Sequence, residues 1–271
     1  MSPVEELKQQ VIADVETRRE TLIHLADTIH ASPEVAFEEV EATALLVRVL
    51  EENGFDIEQG VAGLDTAFVA SLRGGAPGPT IAFVTQYDAL PGLGHACGHN
   101  LIAAAATGAG LATKTALPEL KGNIQVVGTP AEEAGGGKVI MVDAGVFDGV
   151  DAAIMVHPAD RNALGRGSLA VYSIQIEFFG EPAHAAARPE LGINALDAML
   201  LTFSGINALR QHLRDDARIH GVIIHGGDAA NIVPEYTSAE LLVRAADTPY
   251  AREMYDKVRA CAEGAALATG A

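Results

Sequence analysis

The sequence predicts an α/β protein: a mainly parallel sheet flanked by helices, followed by a smaller α+β domain. Apolar residues recur at helical spacing through the first 55 residues. Short apolar runs then alternate with helical segments, which is typical of a parallel sheet. Beyond residue 168 the order changes to strand, helix, strand, strand and helix. At roughly 150 residues per domain, 271 residues accommodate two domains.

The amino-terminal segment is predicted to be helical. One amphipathic face is formed by Leu7, Val11, Val15, Leu22, Leu25 and Ile29. This pattern ends at Ser32-Pro33, because a residue that precedes proline disfavours helical backbone angles. A second helix begins near Val40 and ends at Asn53-Gly54, where glycine permits a left-handed residue.

The next segments predict the sheet. Strands are expected over residues 66–72, 80–85, 123–127 and 152–156, and helices over 101–111 and 139–144. The run at 80–85, TIAFVT, is continuously apolar and therefore indicates a strand buried on both faces. In the second part, strands are expected at 169–179, 219–225 and 236–244, with helices at 194–213 and 250–267. We expect a domain boundary near residue 166, giving domains of 1–166 and 167–271.

Composition excludes several classes of protein. The chain has 18 basic and 36 acidic residues, a net charge of −18 without a basic stripe, which argues against a nucleic-acid partner. Most of this charge is expected to be well-solvated surface. The 49% of hydrophobic residues exclude a disordered acidic chain, and we expect no membrane span and no signal peptide. Two cysteines are too few for a disulfide framework, so we expect a reducing, cytoplasmic location.

Potential metal ligands follow three of the predicted strands. They are Asp88, Cys97 and His99 after the first, Glu132 and Glu133 after the second, and His157 after the third. Open α/β sheets bind their ligands at the carboxyl ends of their strands, so these side chains are expected to meet at one edge. Taken singly, Cys97 could be a buried hydrophobe, the two glutamates a solvated pair and His157 a core histidine. Their convergence favours a metal site.

The residue types indicate metal-assisted hydrolysis. A thiolate, imidazoles and a carboxylate suit Zn²⁺, with Mn²⁺, Fe²⁺ or Co²⁺ as alternatives. One of the two adjacent glutamates can bind metal while the other acts as a base. A metal lowers the pKa of bound water from about 15.7 to about 7. A free carboxylate can pass the released proton to a leaving amine, which contributes about 10²–10⁴ in rate. A cysteine hydrolase using Cys97 and a histidine is the weaker alternative, because it leaves both glutamates without a role.

The motifs YDALP (87–91), GHACGHN (94–100), GTPAEE (128–133) and HP (157–158) resemble those of the metal-dependent amidohydrolases of the aminoacylase and carboxypeptidase G superfamily. The branch that looks most similar contains indole-acetyl-amino-acid, hippurate and aminobenzoyl-glutamate or dipeptide hydrolases. This resemblance implies a catalytic α/β domain with two divalent ions, and an inserted α+β lid and dimerisation domain. It also implies hydrolysis of N-acyl amino acids or dipeptide-like amides by metal-bound hydroxide, in a homodimer.

The resemblance implies a role for each matching residue. Cys97 would bridge the two ions, with His99 and His157 on one ion and Glu133 on the other. Glu132 would be the general base and acid, and Asp88 would orient a ligand imidazole. In the second domain, His184 would stabilise the oxyanion, while Asn231 and Arg244 would bind the substrate carboxylate. The alternatives are a solvent-facing loop histidine at 184, a turn residue at 231 and a surface strand residue at 244.

Two features depart from the family pattern. Gln86 occupies a position where members of the family often carry an acidic residue. Members also continue beyond the point that matches Ala271, with a last lid strand and a return to the catalytic domain that supplies one more histidine ligand. We therefore expect a C-terminally truncated chain. The alternative function is a catalytically silent form that binds metal or a partner.

Overall fold

The computed structural model describes residues 2–165 and 167–271 and forms two compact units that divide between Asn162 and Ala163. The boundary expected from the sequence falls on Arg166, which lies outside the described residues. Among the described helices, none is long and apolar enough to cross a membrane.

The first unit contains a sheet and surrounding helices. Its elements include α1 (Pro3–Thr17), α2 (Arg19–Ala31), α3 (Val40–Glu52), β1 (Asp56–Gln59), β2 (Phe68–Arg73), β3 (Ala76–Thr85), α4 (His99–Ala116), β4 (Lys121–Gly128), α5 (Gly137–Asp143) and β5 (Ala152–Ile154). The strand order is β1-β2-β4-β3-β5. β3 pairs in parallel with β4 and β5, whereas β2 pairs antiparallel with β1 and β4. Four of the five strands in the described sheet therefore run in one direction, which confirms the mainly parallel α/β prediction.

Besides shifts of one to five residues at the ends of several elements, two details of the first unit differ from the sequence prediction. The single amphipathic face expected from Leu7 to Ile29 lies on two helices, because Arg18 between them leaves helical geometry at φ −91° and ψ 3°. The sequence does not predict strand β1, since its residues DIEQ include only one apolar side chain, Ile57. It forms because it pairs with β2, from Asp56 opposite Ser71 to Gln59 opposite Phe68.

Small residues allow α4 to lie against the sheet. A Cβ atom on Gly110 would be 2.6 Å from the side chain of Val126 in β4, so a larger residue would push the helix outward. Ala103 and Ala112 of the same helix are completely buried. This close packing fixes the first residue of α4, His99, near the carboxyl ends of the strands.

Among its described residues, the second unit is a three-stranded antiparallel sheet with two α-helices. Its elements include β6 (Ala170–Phe179), α6 (Ala195–Leu209), β7 (Arg218–His225), β8 (Tyr236–Ala245) and α7 (Thr248–Thr269). The strand order is β6-β8-β7. Met199 of α6, Leu241 of β8 and Met254 of α7 are buried in one core, so both helices cover the same face of the sheet. The predicted order of strand, helix, strand, strand and helix is confirmed.

Candidate metal centre

Three loops at the carboxyl ends of β3, β4 and β5 bring the predicted ligands of the first unit together. Within this unit, donor atoms of Cys97, His99 and His157 lie within 4.8 Å of one another. Donor atoms of His99, Glu132 and Glu133 meet the same limit. His99 belongs to both groups, so the two sets of donors adjoin at its ring.

Asp88 fixes the orientation of the His99 ring. The Nδ1 atom of His99 lies 2.9 Å from Oδ1 of Asp88 and 2.8 Å from its carbonyl oxygen, so Nδ1 carries the proton and donates. The opposite ring atom, Nε2, is buried and has no hydrogen-bond partner in the described part of the chain. Burial lowers the pKa of His99, but the hydrogen bond and charge of Asp88 outweigh burial and raise it overall. This arrangement leaves Nε2 as the ring atom that is available to a ligand.

The same carboxylate also positions the glutamate loop. Oδ2 of Asp88 accepts a hydrogen bond of 2.8 Å from the backbone N–H of Glu133. Burial raises the pKa of Asp88, but its bonds to His99 and to the Glu133 N–H lower it overall, which favours the charged form. One oxygen of Glu132 and one of Glu133 each lie 3.7 Å from Nε2 of His99. The Glu132 side chain is 40% exposed and that of Glu133 only 19%, so the two adjacent acids occupy different environments.

Cys97 and His157 complete the cluster. Sγ of Cys97 lies 3.5 Å from Nε2 of His157, whose Nδ1 donates to the carbonyl oxygen of Pro158 at 2.8 Å. Burial and a hydrogen bond with the Glu133 carboxylate raise the pKa of the Cys97 thiol to about 11. Between Cys97 and His99, Gly98 adopts φ +81° and a Cβ there would lie 2.9 Å from Pro158, so glycine is required for this close approach.

The donors fit a divalent cation. Nε2 of His99 and Oε1 of Glu133 are 3.7 Å apart, and both are buried without a hydrogen-bond partner among the described residues. Buried polar atoms are normally satisfied, so this pair points to a bound group that supplies the missing interaction. Sulfur, nitrogen and oxygen donors together suit Zn²⁺ and related ions.

Lys138 also lies near this cluster, and no motif in the sequence marks it. Its Nζ is buried and without a hydrogen-bond partner in the described ranges. Burial lowers the pKa of Lys138, and the nearby carboxylates of Glu132, Asp88 and Glu133 offset this only in part. The available signal was its place in α5, directly after the three glycines that follow the glutamate pair.

In the second unit, the structure brings two of the three predicted residues together. The segment around His184 lies antiparallel to that around Asn231: His184 pairs with Ile232, and the Ala185 N–H donates to the Asn231 carbonyl at 3.0 Å. Nδ1 of His184 accepts hydrogen bonds of 3.2 Å from the N–H groups of the residues at 186 and 187. This leaves the proton on Nε2, which is thereby a donor.

Arg244 lies apart from that pair. It is near the carboxyl end of β8, opposite Arg218 of β7, whereas Asn231 precedes the amino end of β8 at Tyr236. At about 3.3 Å per residue, Tyr236 and Arg244 are about 26 Å apart along the strand. Within one chain, Asn231 and Arg244 are thus not brought to one small ligand.

Sequence similarity to known proteins extends over almost the entire chain. It is 38% identical to the Xaa-Arg dipeptidase of Mus musculus over 279 residues, which covers 98% of this chain and 65% of the relative. It is also 38% identical to a p-aminobenzoyl-glutamate hydrolase protein of Escherichia coli, covering 94% of this chain and 57% of that protein. The chain thus spans less than two thirds of the length of these relatives.

Solved structures share the fold. A Bacillus subtilis protein, described as a dinuclear metal binding peptidase from the M20 family, superposes with a TM-score of 0.71 at 25% identity. The match covers 94% of this chain and 72% of the other. The aminobenzoyl-glutamate utilization protein of Klebsiella pneumoniae superposes with a TM-score of 0.75 at 23% identity, over 96% of this chain and 76% of the other. The family model for peptidase family M20/M25/M40 matches residues 82–266, which include every residue of the candidate metal centre. The chain belongs to this peptidase family.

Proposed function

We propose that this chain provides the catalytic machinery of a hydrolase that cleaves the amide bond of dipeptides or N-acyl amino acids and depends on two divalent cations. The observation that carries the proposal is the pair of buried, facing donor atoms on His99 and Glu133, at the centre of a cluster with Cys97 and His157. The names of the relatives, a dipeptidase and an aminobenzoyl-glutamate hydrolase, support the substrate class.

The proposed ligands are Cys97, His99, Glu133 and His157, with Cys97 shared between the two ions. Its sulfur lies 3.5 Å from Nε2 of His157, and the Glu133 carboxylate is near enough to raise its pKa, which supports a shared position. Zn²⁺ or Mn²⁺ is the expected metal, because the donors combine sulfur, nitrogen and oxygen. When bound, such ions polarise the substrate carbonyl and make water acidic.

Glu132 is the proposed proton carrier. Its side chain is the more exposed of the two glutamates and lies next to the cluster, so it can accept a proton from the attacking water and deliver it to the leaving amine. Asp88 acts indirectly, by holding both the His99 ring and the Glu133 backbone. His184 is the proposed donor to the oxyanion, since its tautomer has the proton on Nε2.

Asn231 and Arg244 are the proposed ligands of the substrate carboxylate. Their separation along β8 means that one substrate can meet both only if they come from different chains, which we take as support for a homodimer. The described edge strand β7 presents Val222, Ile223 and Ile224 to solvent at 50%, 39% and 60%, which also favours association. Sedimentation equilibrium measures the oligomeric state directly. A cytoplasmic location is proposed because Cys97 must remain reduced to bind metal.

The test uses metal-free protein reloaded with Zn²⁺ or Mn²⁺ and offered alanyl-arginine, p-aminobenzoyl-glutamate and N-acetylcysteine. We expect amine release from at least one of them. In Glu132→Gln, kcat should fall by a factor of about 10²–10⁴, while the metal content stays unchanged. The matched variant Glu133→Gln should lose metal content as well.

Two outcomes would count against the proposal. Turnover that survives in Glu132→Gln would rule out the assigned proton carrier. Stoichiometric metal binding by the unmodified chain without turnover of any substrate would favour the alternative, a catalytically silent metal-binding or partner-binding protein.

A further inference from the structure

We propose that Glu39 is a positioning residue for the metal centre: its buried carboxylate holds the Ala131 backbone and thereby presents Glu132 and Glu133. This inference rests on the proposed function for its catalytic consequence, but its structural part can be tested without metal. Glu39 is the residue that precedes helix α3, and its local sequence gives no indication of a link to the glutamate loop.

The contacts of Glu39 carry the proposal. The residue is completely buried, and Oε1 accepts a hydrogen bond of 2.8 Å from the Ala131 N–H, 92 positions along the chain. Oε2 accepts a second bond, of 3.0 Å, from the hydroxyl of Thr66. Both carboxylate oxygens are thus engaged, one of them by the residue directly before Glu132.

The Ala131 backbone needs such a partner. Ala131 has φ +56°, a left-handed conformation that residues with a Cβ rarely adopt, and it is completely buried. The turn continues through its carbonyl oxygen, which accepts bonds from the N–H groups of Gly135 and Gly137 at 3.1 and 3.4 Å. Unusual backbone geometry persists only where its surroundings fix it. The hydrogen bond from the Ala131 N–H to Glu39 is one side-chain contact that fixes it here.

A further hydrogen bond connects Thr66 with the loop that contains Asp88. The carbonyl oxygen of Thr66 accepts a hydrogen bond of 2.5 Å from the hydroxyl of Tyr87. Tyr87 is completely buried and directly precedes Asp88, which orients the His99 ring. The Glu39–Thr66 pair therefore links the loop of the paired glutamates with the loop of Asp88.

Burial of a carboxylate is costly unless it is hydrogen-bonded, and both oxygens of Glu39 accept such bonds. Burial raises the pKa of Glu39, although its hydrogen bonds, among them those from Ala131 and Thr66, lower it in part. A carboxylate retained in such an environment is explained if its two oxygens are needed to hold the two loops.

The experiment compares Glu39→Ala, which removes both bonds, with Glu39→Gln. The glutamine carbonyl can still accept from the Ala131 N–H, and its amide can donate to Thr66. Leu50→Ala is the matched control for loss of stability, since Leu50 is a completely buried residue at the other end of α3. Three quantities are measured on the full chain: amide hydrogen exchange over residues 129–136 without metal, the absorption spectrum with Co²⁺, and kcat and KM with the active metal.

We expect Glu39→Ala to lose exchange protection at Ala131, to shift the Co²⁺ bands, and to lower kcat by about 10–100-fold with little change in KM. Glu39→Gln should restore all three, and Leu50→Ala should unfold more easily while leaving the Co²⁺ spectrum and kcat unchanged. The proposal is wrong if Glu39→Ala keeps the exchange protection and the spectrum, or if Leu50→Ala lowers kcat as much. If the unmodified chain lacks turnover, the proposed function fails, and the exchange data still decide the role of Glu39.

Discussion

Metal binding to this chain should release about one proton that comes from Cys97. The pKa of the thiol is raised to about 11 by burial and by its hydrogen bond with Glu133. At pH 8 the thiol is therefore ionised in only about one molecule in a thousand. A metal ligand must be the thiolate, so binding has to displace this proton. The affinity for the metal therefore rises with pH. Below the pKa of Cys97, the loss of this one proton raises the affinity about tenfold per pH unit.

The assay is isothermal titration calorimetry. The metal-free protein is titrated with Zn²⁺ at pH 8 in buffers that differ in their enthalpy of ionisation. The slope of observed enthalpy against buffer enthalpy, summed over all the ions that bind, gives the number of protons released per chain. In Cys97→Ser the serine hydroxyl stays protonated, so the count should fall by about one. Protons from His99, whose pKa is also raised, are common to both proteins and cancel in the difference.

Cys261 provides the matched control. It is the other thiol, burial raises its pKa as well, and it lies in α7 of the second unit, outside the ligand groups. Cys261→Ser should release as many protons as the unmodified chain. Equal proton counts for the unmodified chain and Cys97→Ser, or a lower count for Cys261→Ser, would refute the assignment of Cys97 as a thiolate ligand.

Three further predictions concern substitutions at the candidate site, in the sheet of the first unit and in the last helix. Asp88→Ala removes the acceptor that orients the His99 ring and should weaken metal binding by about 10–100-fold in a competitive chelator titration. Gly128→Ala places a Cβ 2.2 Å from the ring of Phe68 and should lower the free energy of unfolding by about 1–3 kcal/mol in urea, whereas Gly75→Ala, with no described atom within 4 Å, should cost nothing. Gly264→Ala, in the last helix and also without a described atom within 4 Å, should raise the free energy of unfolding by about 0.5–1 kcal/mol; a decrease would contradict its open surroundings.

Periodicity and turn residues predicted most of the elements because these signals are local. Helix α3 ends where Asn53-Gly54 predicts, and β3 includes the continuous apolar run at 80–85. The exception, β1, is a short polar strand that exists only because β2 lies beside it. Its residues alone contain no such information.

The proximity of the candidate ligands could be predicted because parallel strands end at one edge of a sheet. Cys97, His99, Glu133 and His157 follow strands β3, β4 and β5, and these strands do pair in parallel. The residues that support the cluster were harder to predict from the sequence. In the sequence alone, Lys138 looks like an ordinary surface residue and Glu39 like an ordinary residue at a helix end.

The sequence by itself thus determined the fold class, the order of the elements and the identity of the candidate ligands, because spacing and residue type are enough for these. Only the tertiary structure decided which groups act on one another. Asp88 bonds both His99 and the Glu133 backbone, 45 positions away, and Glu39 bonds Ala131 across 92 positions. The second unit likewise places Asn231 and Arg244 at opposite ends of one strand. Such partners are selected by the packing of helices and strands, a property of the whole chain that no local pattern contains.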